Sequence, residues 1–261
     1  MVLPRLLRQV SSWREARALE RHAIPDALWA SVLAAYPFLG ARSPDDVQAL
    51  RRLVSLFLAR KQFHGAQGLV VTDEMAVAIA AQACLPVLKL GIAAYDGFVG
   101  IVVHPDEVVA AREVTDEDGV VHQYDEVLTG EAMGGGPMML AWADVLAAGE
   151  TAELAYNVVI HEFAHVLDMA DGEADGVPLL PNAAAREAWI ACIDAEYERF
   201  ADRVDGGDDD TVLDPYGAEG VEEFFAVAVE AFFVAPAAMR AEHPALYALF
   251  AGYFRQDPAA A

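Results

Sequence analysis

Residues Asn157–Met169 read NVVIHEFAHVLDM, with His161, Glu162 and His165 in an H-E-x-x-H pattern. In a helix, four residues turn the side-chain direction by about 400°, so His161 and His165 share one face about 6 Å apart. Two imidazoles at that spacing suit one Zn²⁺ ion. Glu162 sits beside His161 and reaches the same space without being a ligand. That placement suits a general base that activates water and later carries the proton to a leaving amine. The neighbours Leu154, Val158, Val159, Phe163, Val166 and Leu167 make the rest of the helix apolar. Two His and a Glu in a buried helix are costly unless something satisfies them. A metal does so; hydrogen-bonded core histidines are the plainer alternative.

A catalytic site of this kind needs a third protein ligand. The other histidines are His22, His64, His104, His122 and His243, and none closes an H-E-x-x-H-x-x-G-x-x-H pattern, because Asp171 holds that position. A carboxylate from a later helix is the alternative. GVEEFFAVAVEAFF (220–233) is almost wholly apolar after Glu223, yet Glu223 and Glu230 lie seven residues apart on one face. A metal beside Glu223 removes the cost of burying it, whereas a partly exposed helix start needs no metal. Glu222 lies about 100° round the helix and reads as solvent-facing. Glu230 reads equally as a support behind the ligands or as ordinary surface. In DPYG (214–217), Tyr216 precedes Glu223 by seven residues. Its hydroxyl is a candidate to stabilise an oxyanion, although turn aromatics commonly have no such role. Asp168 either orients a ligand from behind or is simply a polar residue closing its helix.

The composition excludes other classes. The chain has 261 residues, a formal charge of −24 and 56% hydrophobic residues. A surface this negative repels phosphate backbones and anionic membranes, so neither nucleic acid nor a membrane is an expected partner. The hydrophobic content excludes a disordered acidic tail. Charge is uneven: residues 1–60 carry net +4 and residues 61–261 carry net −28. The acidic body favours cationic peptides or basic partner surfaces at low salt, and the basic N-terminal segment is a candidate to pack on it. Cys84 and Cys192 lie in apolar, helix-like surroundings and read as free thiols. The N-terminus is broken by Arg5, Arg8, Arg14 and Arg17, and no apolar run approaches the roughly 20 residues that span a bilayer. A cytoplasmic location is the expectation.

The spacing predicts helices over 11–35, 45–64, 73–91 (bent or ended by Pro86), 151–169, 183–204, 220–233 and 236–255, the last broken at Pro236 and Pro244. Ser43, Pro44 and Asp45 form a good helix start. Strands are predicted at Phe98–His104, Val120–Leu128 and Met138–Trp142. The last is expected at a sheet edge, where it pairs with substrate backbone. The acidic stretch 205–210 (DGGDDD) reads as a surface loop; it lacks the ligand order of an EF-hand.

Further blocks accompany the motif: LPVLKLGIAAYDGF (85–98), VVHP (102–105), GPMMLAW (136–142), DGVP (175–178), EEFFAVAVEAFF (222–233) and FAGYFRQDP (250–258). In this joint order the chain resembles the Mlc titration factor A family of bacterial gluzincin-type zinc metallopeptidases. The resemblance runs over most of the chain. It implies one zinc on His161, His165 and Glu223, with Glu162 as base. The catalytic core is also similar to that of anthrax lethal factor, where a Tyr-Gly precedes the ligand helix at this spacing. That similarity implies the oxyanion role for Tyr216. The family usually has Ser-Glu-Tyr where this chain has Val229-Glu230-Ala231, which weakens a role assigned near Glu230.

These readings combine into one expectation. The chain is an α+β, mainly helical, zincin-like metallopeptidase with a small mixed β-sheet. One domain spans 1–261, with 1–95 mainly helical and 96–261 holding the sheet and zinc-binding helices. Its substrate is a peptide or protein. The resemblance also implies binding of a sugar-responsive, Mlc-like transcriptional repressor. The alternative is a non-catalytic repressor-binding protein that retains a zinc site.

Overall fold

The computed structural model describes residues 15–106, 108–115, 121–128, 130–132, 136–149, 155–208 and 210–260. The N-terminal part begins with a helix at 15–21 and helix α1 (Asp26–Ala35). The single helix expected over 11–35 is therefore two pieces; residues 11–14 lie outside the described residues. Pro25 causes the break. It caps α1 in extended conformation and disfavours a helical residue before it.

Helix α2 (Pro44–Arg60) starts as its sequence predicts, with the Ser43 side chain accepting from the Asp46 N–H at 3.2 Å. It stops at Arg60 because Lys61 turns extended and is buried. The Lys61 ammonium donates to the carbonyls of Tyr95 and Phe98 and lies 3.7 Å from the Phe98 ring centroid. Residues 62–64, expected to be helical, instead belong to strand β1 (Gln62–Gly65). Helix α3 (Asp73–Cys84) is capped by Thr72, and its side chains from Met75 to Cys84 are almost all buried. It ends before Pro86 in a series of tight turns, short of the expected residue 91.

Strand β2 is Gly100–His104, and β3 (Val108–Thr115) pairs antiparallel with β4 (Val121–Leu128) as a separate ribbon. Of the strand expected at Val120–Leu128, Val120 lies outside the described residues. Strand β5 is Gly130–Ala132 and β6 is Met138–Ala141. The main sheet has the order β1-β2-β6-β5, with the first three parallel and β5 antiparallel to β6. It is a mixed sheet, as expected. The edge position expected for β6 is not observed, because β2 and β5 hydrogen-bond to its two sides. Trp142, expected in this strand, starts helix α4 (Trp142–Ala147).

Helix α5 (Val158–Asp168) carries the H-E-x-x-H pattern. It begins later than the expected residue 151; residues 155–157 are not helical and 151–154 lie outside the described residues. Helices α6 (Ala183–Asp205), α7 (Val221–Val234), α8 (Pro236–Glu242) and α9 (Pro244–Phe254) follow, with breaks at the two prolines as expected. Among the described residues, no helix is long and apolar enough to cross a membrane.

One continuous core joins these elements. Phe163 anchors α5 in it, with ring centroids 4.9 to 5.7 Å from Tyr95, Phe57 and Phe98. On the other side, Phe225 and Phe232 of α7 pack on Trp189, Phe250 and Phe254. The paired helices α5 and α7 are thus clamped from both sides. Arg60, at the end of the basic segment, pairs with Asp96 at 3.0 Å. Arg5, Arg8 and Arg14 lie outside the described residues.

Candidate metal centre

Asn157 starts α5 by accepting the Ile160 N–H on its side-chain oxygen at 2.9 Å. Three and seven residues into the helix proper, His161 and His165 turn one imidazole edge each toward the start of α7. Their Nε2 atoms lie 3.2 Å apart. The Glu223 Oε2 atom lies 3.1 Å from Nε2 of His161 and 3.5 Å from Nε2 of His165. A tetrahedral ion with ligand bonds of roughly 2.0 to 2.1 Å has ligand–ligand edges of about 3.3 Å. All three observed edges match that figure. The two imidazoles and the carboxylate also form the one His/Cys/Asp/Glu group among the described residues that could hold a metal ion. The residues present therefore fit a tetrahedral zinc ion with its fourth position open.

The electrostatics agree with a cation site. Burial alone would raise the Glu223 carboxyl, but hydrogen bonds from His161 and His165 outweigh it and hold the group at about 2. Burial works against the charged form of His161, yet the carboxylates of Glu223 and Glu230 push it well above the usual histidine value. Glu162 is buried, and desolvation raises its carboxyl above the ordinary range, partly offset by the two histidines. A carboxyl shifted in this way is suited to exchanging a proton.

Tyr216 stands on a turn (Pro215–Ala218) directly ahead of α7, 46% exposed, with its ring centroid 6.1 Å from that of His161. Asp214 shapes the turn by accepting the Tyr216 N–H at 2.9 Å. Gly217 allows close approach, since a Cβ there would sit 3.3 Å from the Phe224 backbone. The tyrosine thus borders the same space as the ligand trio.

Glu230 is not at the surface. It is 2% exposed, and its Oε1 accepts from Nδ1 of His161 at 2.8 Å. Asp168 is also buried, but its described hydrogen bond goes to the Val177 N–H at 2.8 Å. It ties the end of α5 to the DGVP loop, where Gly176 adopts φ +71° against Val221 and passes its carbonyl to Trp189. Desolvation raises the Asp168 carboxyl to about 6. The structure also brings in two residues that sequence reasoning did not single out, Asn157 and Gln82. Gln82 is the lone polar residue of α3 after Glu74, in an otherwise apolar stretch, and that isolation was its sequence signal.

The model of the glucose-regulated metallo-peptidase M90 family matches residues 10–255. An uncharacterized protein of Synechocystis is 37% identical over 94% of this chain and 89% of its own length. Mlc titration factor A of Pectobacterium atrosepticum is 36% identical over 86% of this chain and 84% of its own. That of Edwardsiella ictaluri is 36% identical over 94% and 92%. A family match over nearly the whole chain, joined to relatives of this identity and coverage, places the chain in the M90 family of metallopeptidases.

Proposed function

We propose that the chain, as one metallopeptidase domain, is a cytoplasmic zinc-dependent peptidase that hydrolyses peptide bonds in peptide or protein substrates. The observation that carries this reading is the trio His161, His165 and Glu223, whose spacings match one tetrahedral ion. A zinc ion held there by His161, His165 and Glu223 would polarise the scissile carbonyl and acidify a water. Glu162 takes the proton of the attacking water and delivers it to the leaving amine. Tyr216 donates its hydroxyl to the oxygen on which negative charge develops. Glu230 holds His161 so that Nε2 faces the ligand position. The test joins elemental analysis to a peptidase assay with and without chelator. One zinc per chain and chelator-sensitive cleavage support the reading; cleavage that survives complete metal removal overturns it.

A second reading rests on the name shared by several relatives, Mlc titration factor A. In it the chain binds a sugar-responsive repressor of the Mlc kind, alongside catalysis or in place of it. A non-catalytic repressor-binding protein would retain zinc and show no hydrolysis, so the same pair of measurements separates binding in place of catalysis from the first reading.

A further inference from the structure

A line of buried side chains runs from the metal centre into the N-terminal half. The Glu230 carboxylate accepts from two donors, Nδ1 of His161 on Oε1 at 2.8 Å and the Asn157 peptide N–H on Oε2. The Asn157 side chain accepts from the Ile160 N–H through Oδ1, so its Nδ2 must donate. It does so to Oε1 of Gln82 at 2.7 Å. Gln82 must then offer Nε2 at its other end, where the Ala78 carbonyl accepts at 3.2 Å and the buried Tyr36 hydroxyl lies close enough for Gln82 to bear on its ionisation. Tyr36 in turn donates to the Val145 carbonyl at 2.9 Å. Tyr36, Gln82, Asn157 and Glu230 are each at most 2% exposed.

Main-chain groups fix the direction of this line. The Ile160 N–H determines which way the Asn157 amide faces, and the Ala78 and Val145 carbonyls determine the orientation of Gln82 and Tyr36. No link can reverse without leaving a buried polar atom unpaired, which costs about 1–3 kcal/mol. A carboxylate accepts only, so His161 meets Glu230 with Nδ1–H, which leaves Nε2, the nitrogen 3.1 Å from Glu223, as the atom that would offer its lone pair to a metal held there.

We propose that Asn157 and Gln82 are positioning residues for the metal centre. By holding the peptide N–H of Asn157 against Glu230, they fix that carboxylate and, through it, the tautomer and ring orientation of His161. The claim rests on reading the trio as a zinc site. It goes beyond it because Gln82 lies on another helix and touches none of the ligands.

The experiment uses the full chain and three variants. Gln82→Leu removes the amide with little change of volume. Asn157→Ser keeps a helix-capping oxygen but cannot reach Gln82. Val54→Ala, in the buried core on α2 and a member of none of these hydrogen bonds, serves as a variant that loses stability only. Zinc affinity is read by competition with a chromophoric chelator, and the His161 Nδ1–H signal by ¹⁵N NMR of the zinc-loaded protein. Gln82→Leu and Asn157→Ser are each expected to weaken zinc about tenfold and to shift or broaden the Nδ1–H signal. Val54→Ala changes neither. If the parent binds zinc and whichever of the two variants folds retains its affinity within twofold and its Nδ1–H signal, the positioning role is wrong. Weakening in Val54→Ala to the same extent also overturns it, since stability alone would then account for the loss. If the parent itself binds no zinc, the site reading fails first, a distinguishable result.

Discussion

Nδ1 of His161 and Oε1 of Glu230 meet at 2.8 Å across the seam between α5 and α7, although 69 residues separate them in the chain. The contact couples the H-E-x-x-H helix to the helix that carries the third candidate ligand. It also gives the buried carboxylate a second donor beside the Asn157 peptide N–H.

In the proposed mechanism, Glu162 is the residue on which hydrolysis depends most directly. Glu162→Gln keeps the shape of the side chain and both histidines, so zinc content should stay at the parent level. Loss of the base should lower kcat by about 10²–10⁴-fold. Parallel kinetics and metal analysis check both halves; parent-like turnover removes the general-base role.

Tyr216→Phe tests the oxyanion donor. The side chain is half exposed and stands outside the core, so the fold should be unaffected. The expected change is a fall in kcat of about 10²-fold, with KM little altered. A rise in KM with kcat unchanged would mean that Tyr216 only binds substrate.

Asp168 sets a pH dependence of stability. Its folded-state carboxyl is raised from 3.8 to about 6 by burial, so the native state holds the proton more tightly than the unfolded chain between those values. Stability from this group is therefore full below about 4 and is lost as pH rises toward 6. Asp168→Asn lacks that slope. The stability of the parent relative to the variant should fall across this window by on the order of 2 kcal/mol. Urea unfolding of both metal-free proteins from pH 4 to pH 7 measures it; parallel curves would show that Asp168 does not titrate there.

Phe163→Ala removes the ring that fixes α5 among Phe57, Tyr95 and Phe98. The site is fully buried, so the expected loss is about 3–5 kcal/mol. Chemical denaturation reads the loss directly. A cost below about 1 kcal/mol would mean that the cluster collapses around the hole.

The parts legible in the sequence share one property, short range. The helix start at Ser43 and the helices predicted from 73 and 183 are all met, each with a side-chain cap three residues from the N–H it satisfies. The breaks at Pro236 and Pro244 follow from a missing N–H. The proximity of His161 to His165 follows from the pitch of a helix. Where tertiary packing overrode local preference, the reading failed. Lys61 ends α2 early because its ammonium finds carbonyls near residue 96, and β6 is internal because β5 returns to cover it.

The H-E-x-x-H spacing and the out-of-place carboxylates of 220–233 were enough, in sequence alone, to single out His161, Glu162, His165 and Glu223 as candidates, of which the structure brings His161, His165 and Glu223 together. Acidic or imidazole groups in an apolar helix are conspicuous wherever the helix packs. Tertiary structure alone decided which carboxylate faces which nitrogen. It placed Glu230 behind His161, turned Asp168 toward the DGVP loop, and brought Gln82 to Asn157 across 75 residues. The physical reason is that a hydrogen bond depends on position to a few tenths of an ångström. Such precision between distant segments comes from the packing of whole helices, which no local pattern encodes.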